Sequence, residues 1–240
     1  IQRFDACPNL EIVGNPSIPR LAIMALRFKH GVKDLHYGFV VSLLNDLFGI
    51  QVRGGCSCAG PYGHSLLKMD MPYSRAIESE IKQGNMLLRP GWVRLNFNYF
   101  IDENEFEYLL RAVELVATLG WRILPFYRVD PKSGVWRYQG QSNPMARSLD
   151  KFKFAEYCQR SKEPKNIKVS LDGIYDTAEQ LLLAVSGYSK VPPLILGDKS
   201  ETLRWFVLPQ EVYTASNHIL LKETDDKVQS TDDKDFQNGF

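Results

Sequence analysis

Residues 91–121 read GWVRLNFNYFIDENEFEYLLRAVELVATLGW, and no other stretch limits the fold as tightly. The opening part alternates. Val93, Leu95, Phe97 and Tyr99 face one side, and Trp92, Arg94, Asn96 and Asn98 face the other, which predicts a strand with one covered face. Asp102 then stands where an N-cap belongs, and Glu105 follows three residues on, the spacing of a capping box. Phe106, Leu109, Leu110, Val113 and Val116 make the apolar stripe of a helix, and Gly120 stops it. A strand with one apolar face beside a helix with one apolar stripe predicts a helix layer over a sheet.

The chain before this unit has the same texture. Pro19–Lys29, PRLAIMALRFK, predicts a buried strand. Phe39, Val40, Leu43, Leu44, Leu47 and Phe48 recur at helical spacing, with Gly49 as the C-cap. Ile50–Arg53 predicts a short strand that runs straight into a cysteine-bearing loop. Ser74–Asn85 predicts a short exposed helix ended by Gly84. Residues from about 10 to 125 thus read as strand, helix, strand, helix, strand, helix: an α/β (α+β) layer with helices over a small, mostly antiparallel sheet. Beyond it, Val129–Pro144 is turn-rich and reads as a linker or extended arm. Ser170–Tyr188 predicts an amphipathic helix and Glu201–Pro209 a strand. From Lys222 onward the chain is acidic and nearly free of apolar residues, which predicts a disordered tail.

Composition narrows the function classes. The 240 residues carry a net charge of +1, so no dominant attraction to nucleic acid or an acidic membrane is expected. No apolar run is long enough to span a bilayer. The N-terminus, IQRFDACPNL, is not a signal peptide, and its lack of a starting methionine suggests a chain cut from something longer. The 4 cysteines, Cys7, Cys56, Cys58 and Cys158, are too sparse for a disulfide scaffold and point to a reducing compartment, the cytoplasm or an organelle matrix.

Two of those cysteines sit one residue apart in RGGCSCAGPYGH, Arg53–His64. One reading is a tight turn, in which Gly54, Gly55, Gly60 and Gly63 permit the bends and small residues fill space. A metal site would use Cys56, Cys58 and His64, but no second cysteine pair completes a zinc set, and His30 and His36 are distant in sequence. A reactive thiol loop asks for cations and mobility. Arg53 precedes the thiols, His64 follows them, and the end of a strand is where α/β folds concentrate chemistry.

The flanks of this loop resemble the C-terminal part of class V aminotransferases, and within them the cysteine desulfurase group. The group's helix, short strand and RxGxxCA loop are matched by Arg53, Gly55, Cys58 and Ala59, with Pro61 at a further matching position. The group's arginine-bearing strand followed by a turn and an amphipathic helix is matched by Trp92–Val113, with Arg94 at the arginine position. The resemblance covers about residues 10 to 125. It implies the small C-terminal domain of the aspartate aminotransferase-like fold, a pyridoxal 5'-phosphate-dependent transferase. It also implies that Cys58 takes sulfur from substrate cysteine and that Arg94 holds the substrate carboxylate. A planar guanidinium on a rigid strand suits that task. Arg53 is either a loop anchor or a second substrate contact. Cys56 is either the reactive thiol or a resolving partner of Cys58.

Two departures bound what the resemblance implies. Transaminase and lyase chemistry share this domain, so Cys58 alone does not fix the reaction. The family's cofactor lysine, which usually follows a histidine, has no counterpart: Lys29–Gly31 reads KHG, the reverse order. The expectation is therefore a C-terminal fragment, inactive alone, whose missing N-terminal large domain carries the cofactor. The complete enzyme is expected to be a homodimer acting on a small amino-acid substrate. The chain divides into a small domain over 1–128, a linker or arm over 129–166, an extension over 167–221 and a tail over 222–240. A non-catalytic remnant and a small metal-binding module are the other classes.

Overall fold

The computed structural model describes residues 1–56, 60–140, 170–185 and 192–212. In chain order these form α1 (Gln2–Asp5), β1 (Leu10–Ile12), β2 (Ile23–His30), β3 (Lys33–Leu35), α2 (Tyr37–Phe48), β4 (Arg53–Gly55), α3 (Gly60–Leu66), α4 (Met71–Lys82), β5 (Trp92–Asn96), α5 (Glu103–Leu119), β6 (Tyr127–Asp130), β7 (Val135–Tyr138), α6 (Leu171–Ala184) and α7 (Asp198–Leu203). A single 3-10 turn at Met86–Leu88 and a longer 3-10 segment at Gly120–Phe126 add to them.

The main sheet runs β1-β2-β5-β4, with β3 paired to β2, and each of these pairs is antiparallel. This is the expected class: helices over a small antiparallel sheet. Met24, Leu26, Phe28, Val93 and Leu95 fill one sheet face and share a core with Phe39, Val40, Leu43 and Leu44 of α2 and Val113 and Val116 of α5. Both long helices form as their caps dictate. Gly49 takes φ 66° at the end of α2, a left-handed turn glycine adopts without cost. Asp102 and Glu105 close the capping box of α5 reciprocally.

Four local expectations are corrected. The strand expected at Ile50–Arg53 lies at Arg53–Gly55, because the Gly49 and Ile50 N–H groups turn back to the carbonyls of Asn45 and Leu44 and delay the extended stretch. Strand β5 ends at Asn96, so Tyr99, expected on the covered face, is 98% exposed. Trp92, expected on the open face, is buried there, because α3 covers that end of the sheet and packs Leu66 and Leu67 over Trp92, Val13 and Cys56. The expected strand at Glu201–Pro209 is instead α7 followed by an extended pass that touches the sheet at one parallel bridge, Phe206 to Asp34.

Residues 129–138, expected within an arm, belong instead to the hairpin β6–β7 around Gly134 at φ 69°, and Trp136 buries against α2. Helix α4 begins at Met71 rather than Ser74, since Asp70 caps it by accepting the Tyr73 N–H at 2.8 Å. The expected helix after Ser170 forms as α6, and its Ala178 and Leu182 join the same core as β2 and α5. Cys58, Ala59, Cys158 and the tail from Lys222 lie outside the described residues.

Candidate functional site

The sheet face away from α2 and α5 carries the polar residues. Strand alternation puts Glu11, Arg27, Lys29, Trp92, Arg94 and Arg53 on it. Arg94 stands between Ala25 of β2 and Arg53 of β4, each its direct cross-strand partner. Like charges directly opposite each other destabilise a sheet unless an anion joins them. Arg94 is half-buried, and its Nε is buried without a hydrogen-bond partner among the described residues. A buried guanidinium N–H left unpaired is costly, and a carboxylate is the group that satisfies it best.

Three residues past Arg53, the chain delivers Cys56. The backbone there is crowded in a way only glycine allows. A Cβ on Gly91 would stand 2.6 Å from the backbone of Gly55, and one on Gly54 would stand 2.6 Å from the Tyr37 ring. Gly55 itself takes φ 110°. This close crossing holds the start of the thiol loop against β5. Cys56 is buried, and its Sγ lies 4.0 Å from Nη2 of Arg89. Tyr37 lies close by. Burial pushes its hydroxyl up to about 12, with the Arg89 charge opposing that shift.

The expected site residues therefore part company. Arg94, Arg53 and Cys56 come together at the β4·β5 edge. His64, on α3, shares a cavity with Cys56. Cys58, the thiol at the center of the resemblance, lies outside the described residues. Among the described residues, no group of three or more histidine, cysteine or acidic side chains converges as a metal would need. His36 is committed elsewhere. Its Nδ1 accepts from the Gly38 N–H and the Trp136 Nε1–H, both at 3.0 Å, and its Nε2 donates to the Leu87 carbonyl at 3.1 Å.

Sequence reading missed Asp34, which is almost wholly buried on this face. Its carboxylate holds Arg27 at 2.7 Å and Lys29 at 3.0 Å, and Lys29 also pairs with Glu11 at 3.0 Å. Burial works against ionisation of Glu11, but Lys29 and Arg27 outweigh it and hold the carboxyl below its ordinary range. An acid buried within a strand pair, two residues ahead of a histidine N-cap, leaves no periodic signal to read. The same network bears on the cofactor. Pyridoxal phosphate needs a lysine for its aldehyde and an acid for its ring nitrogen. Lys29 and Asp34 are spent on each other, so they do not fit the group.

No family model, curated protein or solved structure matches the chain. The β4·β5 site has a geometry of its own. It offers a paired guanidinium platform on a rigid sheet, open toward solvent on the Arg53 side, with a thiol loop leaving from its edge. That arrangement can hold a small carboxylate.

Proposed function

We propose that this chain supplies the small-domain half of a pyridoxal phosphate-dependent class V aminotransferase of the cysteine desulfurase type. Arg94 holds the α-carboxylate of a small amino acid, with Arg53 beside it. The loop thiol, Cys58, receives the substrate's sulfur. The observation that carries this reading is the buried Nε of Arg94, unpartnered among the described residues, on a residue directly opposite a second arginine on the strand that leads toward the cysteines. A bidentate guanidinium fixes both the position and the in-plane orientation of a carboxylate, which a lysine cannot do. Thiolate, not thiol, is the nucleophile.

The cofactor belongs to the proposed large domain, which would supply the lysine and the ring-nitrogen acid. When bound there it supplies the electron sink for breaking the substrate's C–S bond. The complete enzyme is proposed to be a homodimer working in a reducing compartment. Among the described residues, no helix is long and apolar enough to cross a membrane.

Steady-state kinetics of the complete protein with L-cysteine test the carboxylate role. Arg94→Ala is expected to raise KM by at least about tenfold, the loss of one charge-assisted bidentate contact, and Arg94→Lys to recover only part of it. An Arg94→Ala enzyme with KM and kcat unaltered removes Arg94 from the site.

A further inference from the structure

Cys56 opens onto a cavity of about 680 Å³ that the reading above does not use. Helices α3 and α4 and the segment Arg89–Pro90 enclose it. Met69, Ile77, Ile81 and Pro90 supply apolar wall, and His64, Arg75 and Glu78 supply polar groups. Glu78 is answered by Lys82 at 2.7 Å, one turn along α4. Arg89 has no carboxylate partner among the described residues: its guanidinium lies 4.0 Å from the Cys56 sulfur and close enough to the Tyr37 hydroxyl to act on its ionisation. The cavity thus has an apolar body, a thiol at its inner surface, and beside that thiol a guanidinium without a carboxylate.

We infer that this cavity is a binding site for small anionic organic disulfides, which exchange with the Cys56 thiol while their acid group rests on Arg89. The apolar wall suits the organic body, and the guanidinium selects its carboxylate. In the exchange Cys56 loses its proton to solvent, and its sulfur attacks one sulfur of the disulfide. The new bond to Cys56 forms as the original S–S bond breaks, and the leaving thiolate departs with that electron pair. One thiol and one disulfide stand on each side, so no external oxidant is needed. The site needs neither Arg94 nor Cys58, so it stands or falls apart from the function proposed above.

The test uses the full 240-residue chain carrying Cys7→Ser, Cys58→Ser and Cys158→Ser, which leaves Cys56 as its thiol. Two probes are compared: 5,5′-dithiobis(2-nitrobenzoate), which carries carboxylates, and uncharged 2,2′-dithiodipyridine. The rate ratio of the charged to the neutral probe is expected to exceed that of N-acetylcysteinamide by about tenfold or more, the size of a local charge-focusing effect. Arg89→Gln should return the ratio to the reference value, and Arg89→Lys should keep part of the preference. Peptide mapping of the unsubstituted chain after the same two treatments gives a second measurement, free of the three substitutions. A ratio equal to the reference, a Cys56 inert to both probes in either chain, or a preference that survives Arg89→Gln would overturn the inference.

Discussion

At the residue scale, Lys68 is held where a glycine would be at ease. It takes φ 55°, and its N–H and that of Met69 close the end of α3 onto the carbonyls of Ser65 and His64. This is a Schellman ending with a side chain in the left-handed position. Lys68→Gly is expected to raise stability by roughly 0.5–1 kcal/mol, checked by the urea midpoint. Gly91 is the converse case, because any Cβ there meets the Gly55 backbone. Gly91→Ala should cost about 1–3 kcal/mol and displace the thiol loop with it.

His36 carries a pH dependence. Burial lowers its pKa from 6.5 to about 3, with the Leu87 carbonyl opposing only weakly. Between those values the unfolded chain binds a proton that the folded chain refuses, so stability falls as pH falls, by at most about 1.4 kcal/mol per pH unit. Denaturation midpoints measured from pH 7 to pH 4 should show that slope, and His36→Gln should flatten it. The thiols, Arg53 and Arg94 are visible in the sequence because their neighbours form a pattern. Arg89 is not, since Cys56 lies 33 residues before it, and Asp34 and the capping role of His36 are not, since their short-range polar contacts leave no periodic signal.

At the element scale, the pieces read correctly are those whose stop signals are local. Helices α2 and α5 end at glycines and α5 starts on its capping box, so periodicity and caps agree. Asp102→Ala should therefore cost about 1 kcal/mol, and a chemical denaturation curve measures it. The misread pieces are those where tertiary contact outweighs local pattern. The hairpin β6–β7 hides inside a turn-rich stretch, because its buried anchors, Tyr127 and Trp136, find their partners far away, Tyr127 in Asp46 and Trp136 in His36, 100 residues earlier. Trp92 lies on the face its alternation assigns, but that face is covered, and nothing within β5 announces the cover.

At the scale of the whole molecule, one core takes in side chains from Phe4 to Val212, so the segments after the hairpin stabilise the sheet that bears the site. Arg204 locks the last of them: its buried guanidinium engages Glu201, Glu211 and the Phe206 carbonyl. Removing it should loosen the pass that bridges to Asp34, and hydrogen exchange at Val207 N–H, which donates to the Asp34 carbonyl at 2.9 Å, is the place to see it. Cys58 is the residue on which the proposed sulfur transfer turns. The protein made from its complete coding sequence is incubated with L-cysteine, and the persulfide is mapped by mass spectrometry while alanine is counted. The account predicts alanine formation with the added sulfur on Cys58, and no sulfur transfer in Cys58→Ala. Sulfide release that continues unchanged in Cys58→Ala, or alanine formed with no persulfide on Cys58, contradicts it.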